Sequence, residues 1–469
     1  MTLDLFKKML GKLLYHFFIF FYNLAIRLAS LWNPKAKLWV KGRRKFPSIN
    51  PGNDKRIWMH CASLGEFEQG RPLLEKIREQ YPDVKIVLTF FSPSGYEVMK
   101  HYKGADHIFY LPMDAKSNAV KMIDAIQPGL VIWVKYEFWY FYLTELKRRN
   151  IPVLMVSGLF REGQPFFKWY GDIWRKMLQS FAYFFVQNET SKELLETVGI
   201  SSNVSISGDT RFDRVIEIAE KFEPLPFIEK FCGDSKVIIA GSTWEEDEEE
   251  WTHYVKNHPE IKFIFAPHEI HSDNLKDVKK EFPGSIFYSE LCTSPELSAL
   301  PDRQAGLSHE SGDLKPQTSN PKPQTTNLKP QTSNLKPQTS NPKPQTANML
   351  IIDNIGMLSK LYYYADITFV GGGFEEDGVH NVLEAAVYGK PVLHGPEYEK
   401  FAEAVELVET GAGIPISNAL ELEKILNELW DDEKLLKTKS EIARQYVYSK
   451  AGATEKIMNY IQEKRLLTN

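Results

Sequence analysis

Cysteine is scarce in this chain of 469 residues: Cys61, Cys232 and Cys292 are odd in number and far apart. That excludes a disulfide framework and a Cys-rich metal centre, and fits a reducing compartment. Positive charge is not in excess either. Lys and Arg total 57 against 61 Asp and Glu, a formal net charge of −4, which argues against nucleic acid as a partner. Long uninterrupted apolar runs are missing: residues 13–32 approach the length of a bilayer span but contain His16, Asn23 and Arg27. The same stretch lacks the small-residue cleavage site of a signal peptide. Lys7, Lys8 and Lys12 precede it, and Lys35, Lys37, Lys41, Arg43, Arg44 and Lys45 follow. The expectation is a membrane-associated N-terminal helix, either spanning or lying in the interface plane. The basic flank keeps the body of the chain on the cytoplasmic side.

What the sequence does contain is alternation of short apolar runs with helical patterns. Strands are expected at Arg56–Cys61, 84–91, Leu130–Val134, 151–156 and Tyr183–Val186, and a second series at 236–240, 263–266, 349–353 and 367–370. Strands alternating with helices predict parallel, doubly wound sheets with functional residues at the carboxyl ends of strands. Pro224-Leu225-Pro226 reads as a linker between two such domains. The expected organisation is an N-terminal anchor segment over 1–45, one Rossmann-like domain over 46–223, a second over 224–445, and a closing helix over 446–469 that returns to the first domain. Residues 294–348 interrupt the second domain. They include LKPQTSN, PKPQTTN, LKPQTSN, LKPQTSN and PKPQTAN in succession, too polar and proline-rich to offset the entropy of ordering, and are expected to be a disordered surface insertion.

Several polar residues fall at strand ends. Glu66 precedes a helix expected over 67–80, and from spacing alone is a helix-capping glutamate. Glu137 follows Leu130–Val134, with Lys135 beside it to balance its charge. Arg211 reads as one half of a surface ion pair. Thr243 and Glu246, after Ser242, have capping-box spacing. His268-Glu269-Ile270-His271 is not a His-Glu-x-x-His pattern and has no evident third ligand, so no metal is expected there. Gly371-Gly372-Gly373 ends the strand at 367–370 and leads to a helix expected over 381–388. Such glycines admit a ligand to the backbone, and the amides of a first helical turn favour an anion. Glu384, one turn beyond Asn381, is then placed for ribose hydroxyls. A glycine turn of any α/β protein is the plainer alternative.

The motifs as whole strings are more specific. His60-Cys61-Ala62-Ser63-Leu64-Gly65-Glu66, Val379-His380-Asn381-Val382-Leu383-Glu384 and Pro391-Val392-Leu393-His394-Gly395-Pro396 resemble GT-B glycosyltransferases, most closely the 3-deoxy-D-manno-octulosonic acid (Kdo) transferases. Glu137 and Trp139 match a further motif of that family, from which Lys135 and Tyr136 depart. Arg211 stands for the family's lysine and His268 for its arginine. The resemblance implies a GT-B fold, two Rossmann-like domains facing a cleft, and transfer of Kdo from CMP-Kdo to a lipid A precursor of the lipid IVA type. It implies Glu66 as general base and Glu137 as support for the base or the acceptor. Ser242, Thr243, His268, Gly371, Gly372, Gly373, His380, Asn381 and Glu384 are expected around CMP, and Arg211 near the donor carboxylate or phosphate. CMP-Kdo is a substrate, and neither a metal nor another cofactor is implied. The expected location is the cytoplasmic face of the inner membrane. The rivals are another GT-B enzyme, such as a sugar-nucleotide epimerase, and a catalytically inactive membrane-associated nucleotide-sugar-binding protein.

Overall fold

A computed structural model describes residues 3–50, 52, 54–135, 137–293 and 347–468. All but the last two residues of the expected insertion, and Tyr136, lie outside that description. Among the described residues fourteen strands form two sheets of seven, and every strand pairing in both is parallel. The first sheet holds β1 (Arg56–Cys61), β2 (Lys85–Phe90), β3 (His107–Tyr110), β4 (Leu130–Val134), β5 (Val153–Gly158), β6 (Tyr183–Val186) and β7 (Val204–Ile206). Their order is β3-β2-β1-β4-β5-β6-β7. The second holds β8 (Val237–Thr243), β9 (Lys262–Pro267), β10 (Ile286–Phe287), β11 (Met349–Ile351), β12 (Ile367–Val370), β13 (Val392–His394) and β14 (Gly413–Pro415), in the order β10-β11-β9-β8-β12-β13-β14. The winding direction reverses between β1 and β4 in one sheet and between β8 and β12 in the other. A crevice opens at the carboxyl ends of the strands at each such point.

The strands form where apolar residues run together because helices cover both faces of each sheet. In β1 every residue is buried: Ile57, Met59 and Cys61 enter one core and Trp58 the opposite one, by the period of two. The chain crosses back after the helix Glu433–Ser449. Ile457, Met458 and Ile461, on the closing helix Ala453–Glu463, are fully buried in the core of the first domain. Asp213 fixes this crossing by accepting hydrogen bonds from the Gly452 and Thr454 amides, both at 2.6 Å.

The N-terminal stretch forms one long helix, α1 (Leu3–Ala29), followed by α2 (Pro34–Gly42). Tyr15 and Ile19 of α1 are buried, and Tyr22 and Ile26 pack beside them, a stripe at helical spacing laid on the first domain. Tyr15 Oη donates to Asp114 at 2.6 Å, and Asp114 in turn accepts from the Phe141 and Tyr142 amides. Among the described residues no helix is long and apolar enough to cross a membrane. The spanning alternative finds no support there, since polar and basic residues dilute the apolar stretch. The helix expected over 381–388 is also shorter than its pattern, reduced to Leu383–Ala386. There the Asn381 side chain accepts from the Leu383 amide at 3.3 Å, and Gly389 at φ +69° marks the turn that follows.

Candidate active site

Two carboxylates meet the β1/β4 crevice. Glu66 lies in the first turn of α3 (Leu64–Gln80), directly after β1, and is buried. Ser63 caps this helix, accepting from the Glu66 amide, while the Glu66 carboxylate accepts from the Ala62 N–H. The capping reading of Glu66 is therefore real, and it fixes one carboxylate oxygen at the mouth of the crevice. Glu137, three residues after β4, accepts from His60 Nε2 at 2.8 Å and from Trp139 Nε1 at 2.9 Å through the same oxygen, Oε2.

The fully buried His60 ring extends this into a relay. Its Nδ1 lies 2.9 Å from Thr89 Oγ1, which also accepts from Trp58 Nε1 at 2.8 Å. A neutral imidazole satisfies every partner: Nε2–H donates to Glu137, and the Thr89 hydroxyl donates to Nδ1. His60 was legible only as a letter in a motif. Its partner is 77 residues away, and only the β1–β4 register, which sets His60 beside Trp133, brings the two together.

Lys135, at φ +60° between β4 and Glu137, is driven below its usual range by burial and by the neighbouring Arg211. Glu137 is thus held by hydrogen bonds from His60 and Trp139, while Lys135 lies in the field of Arg211, Asp209, Glu403 and Glu66. Arg211 is no surface pair. It bonds Asp209 at 2.8 Å and, from the other domain, Glu403 at 2.6 Å.

The second crevice differs from expectation at its glycines. The Gly371 amide bonds the Gly241 carbonyl at 2.9 Å. The Gly372 amide bonds Asp247 Oδ2 at 2.8 Å, and the same oxygen takes the Trp244 amide at 2.9 Å. A buried carboxylate of the chain itself thus occupies the anion-favouring position foreseen for a phosphate, and burial pushes Asp247 up to about 6. Close packing explains the glycines: a Cβ on Gly371 would fall 2.7 Å from Asp247 Oδ2, and one on Gly373 2.6 Å from the Gly395 nitrogen. The expected Thr243–Glu246 capping box is absent among these contacts; one residue on, Asp247 accepts from the Trp244 amide, the carboxylate half of such a box. Thr243 is buried and donates to Glu248 Oε1 at 2.6 Å, so it does not face the crevice.

Beside this loop three rings stack. His268 lies 4.6 Å from Trp244 and 4.5 Å from His380 between centroids, nearly parallel to both. Trp244 Nε1 donates to His380 Nε2 at 3.1 Å, which makes Nδ1 the protonated nitrogen of that ring. Burial, and then His268, lower His380 to about 4, and burial lowers His268 as well. Both rings are therefore neutral at pH 7 and offer hydrogen bonds without charge. Asn381 Nδ2 donates to Glu384 Oε1 at 3.1 Å, and burial raises Glu384 to about 7. Ser242 sits half-buried at φ +56° where β8 ends.

Two facing α/β domains, each with its chemistry at a sheet's switch point, define the class: the fold resembles that of GT-B glycosyltransferases. A UDP-GlcNAc 2-epimerase from Neisseria meningitidis shares it with a TM-score of 0.55 at 15% identity, over 87% of this chain and all of that one. That likeness concerns the fold alone. Residues 36–214 match the family described as 3-deoxy-D-manno-octulosonic-acid transferase (kdotransferase). The 3-deoxy-D-manno-octulosonic acid transferase of Aquifex aeolicus is 25% identical over 403 residues, covering 84% of this chain and 92% of that protein. A bifunctional glycosyltransferase/methyltransferase of Fusobacterium nucleatum is 26% identical over 431 residues. The match takes in 88% of this chain but spans only 60% of that protein's length. The chain is thus similar to the Kdo transferases, which are glycosyltransferases, through the family match over 36–214 and through relatives about 25% identical over most of its length.

Proposed function

We propose that the chain transfers Kdo from CMP-Kdo to a lipid A precursor of the lipid IVA type, at the cytoplasmic face of a membrane on which α1 lies. The observation that carries this reading is the convergence of the family match over 36–214 with two carboxylates, Glu66 and Glu137, at the switch point of the matched domain. Glu66 takes the proton of the acceptor hydroxyl as its oxygen attacks the anomeric carbon. The bond from that carbon to the CMP phosphate breaks, and CMP leaves with its electron pair. Glu137, held by His60 and Trp139, orients the acceptor beside Glu66. On the donor side Ser242, His268, His380, Asn381 and Glu384 surround the nucleotide. With both histidines neutral, hydrogen bonds rather than a fixed imidazolium charge receive the leaving phosphate.

Mass analysis of the products from CMP-Kdo and a lipid A precursor tests the reading. The expected result is acceptor gaining the mass of Kdo, with CMP release dependent on acceptor. Release of CMP at the same rate with and without acceptor, and no heavier lipid, would overturn it.

A further inference from the structure

The helix Thr210–Glu220 is bonded to both domains. Its apolar residues Phe212, Val215 and Ile216 enter the core of the second domain. Its start faces the helix of the candidate base, α3. Asp209, which caps it, accepts from Gln69 Nε2 at 3.1 Å, and the Thr210 hydroxyl donates to the Gln69 carbonyl. Gln69 is buried on α3, one turn beyond Glu66. Arg211 joins these contacts to the second domain. Its Nε and Nη2 reach Asp209 Oδ2 at 2.9 and 2.8 Å, while Nη1 donates to Glu403 Oε1 at 2.6 Å. Glu403 is buried in the first turn of the helix Ala402–Glu409. The loop that leads into this helix is stitched to the donor side. The Glu397 amide donates to the Gly373 carbonyl at 2.8 Å, and the Glu397 carbonyl accepts from the Val379 amide, beside His380, at 2.9 Å.

We propose that Arg211 and Glu403 are positioning residues for the transfer: a buried ion-pair strut that holds the helix carrying Glu66 in register with the donor loop of the other domain. The proposal rests on the reading of Glu66 as the base and of the glycine loop's surroundings as the donor side. The chemistry of the pair selects this role over a contact to the donor itself. A guanidinium is a planar fork that can hold one carboxylate through two nitrogens and a second through the third. All three Arg211 nitrogens are spent in that way. Withdrawing the cation toward a ligand would leave two buried carboxylates, Asp209 and Glu403, without it, which is costly. Lys135 lies in the field of Arg211, Glu403 and Glu66 together, which sets the strut at the cleft beside the base. Misplacing a reacting group by about 1 Å costs on the order of 10²-fold in rate. A strut therefore acts on the rate of transfer and leaves donor binding, supplied by the second domain, unchanged.

The test uses the full chain with Arg211→Lys, Glu403→Gln and the two combined. Each leaves a cation beside Asp209, so no variant strands two buried carboxylates. Single-turnover transfer should fall about 10- to 100-fold in each single variant, with KM for CMP-Kdo and calorimetric CMP affinity within about twofold of wild type. The combined variant should fall no further than the slower single one, because either change already breaks the strut. Hydrogen exchange reads the coupling without any substrate. Glu403→Gln, a change in the second domain, should speed exchange of the α3 amides of residues 67–70 by about tenfold or more. Unchanged exchange, or wild-type transfer rates in both single variants, overturns the strut and leaves the functional reading standing. So does a raised KM for CMP-Kdo in Arg211→Lys with normal transfer by Glu403→Gln, which makes Arg211 a donor contact. If the wild type transfers no Kdo, yet Glu403→Gln speeds exchange in α3, the coupling between the domains stands and the reading of the reaction falls.

Discussion

At the scale of single residues, the proposed reaction asks the Glu66 carboxylate to serve structure and chemistry at once. Its side chain closes the start of α3 on the Ala62 amide. Glu66→Gln keeps an acceptor oxygen for that amide, so the cap survives while proton-accepting capacity is lost. Transfer should fall by about 10²–10⁴-fold with folding and CMP binding intact, as single-turnover rates and calorimetry will show. Near-normal turnover would return Glu66 to a capping role. Glu137→Gln probes the other half of the pair. A carboxamide oxygen in the place of Oε2 can still accept both hydrogen bonds, from His60 and from Trp139, so the expected loss is smaller and weighted toward acceptor KM. A larger loss than for Glu66→Gln would reverse the two roles. Both glutamates were legible from the sequence, because each follows a strand that the apolar runs reveal. Their environments were not: His60, Thr89 and Trp58 reach Glu137 only through sheet register, and Lys135, beside Glu137 in the chain, belongs to the field around Arg211.

At the scale of elements, the strands lay close to their expected places because runs of β-branched and aromatic residues mark buried parallel strands. The glycine loop was harder to read. Its glycines serve close approach of backbone to backbone, and its amides are held by Asp247, a residue 125 positions from Gly372 that spacing alone cannot connect to it. The neighbouring Glu248 provides a test. It is buried against Thr243, and desolvation raises it to about 8. A carboxyl raised in the folded state binds more protons there than in the unfolded chain. Its contribution to stability is therefore fully present below about pH 4.5 and is lost as pH rises through 8. Urea midpoints of the wild type should fall between pH 6 and 9, and Glu248→Gln, which stays neutral, should flatten that decline. A parallel decline in both proteins would show that other groups govern it.

At the scale of the whole molecule, the two-domain plan was readable from the linker and the two strand series, and the KPQT repeats announced themselves by composition. Deleting residues 314–348, whose composition predicts a disordered insertion, should leave folding and transfer nearly unchanged, because closure entropy changes only slowly with loop length. Loss of soluble protein or of activity in the shortened chain would count against that expectation. The role of α1 needs a finer tool than deletion, since removing residues 1–32 would also strip the stripe of Tyr15, Ile19, Tyr22 and Ile26 from the first domain's core. The opposite side of the helix isolates the membrane contribution: Phe17, Phe21 and Leu24 are 49%, 59% and 42% exposed and take no part in that stripe. Burial of each side chain in a bilayer interface contributes at most about 1.5–3 kcal/mol. Replacing all three with Gln, and counting half of that burial, removes roughly 2–4 kcal/mol, or about 30- to 1000-fold in partitioning. Sedimentation with anionic vesicles should show that loss while the thermal midpoint stays within a few degrees of wild type, because these side chains already face outward. Vesicle binding that is undiminished in the triple variant would mean that basic residues around α2 hold the surface by charge alone, in which case raising the salt concentration should release wild type and variant together.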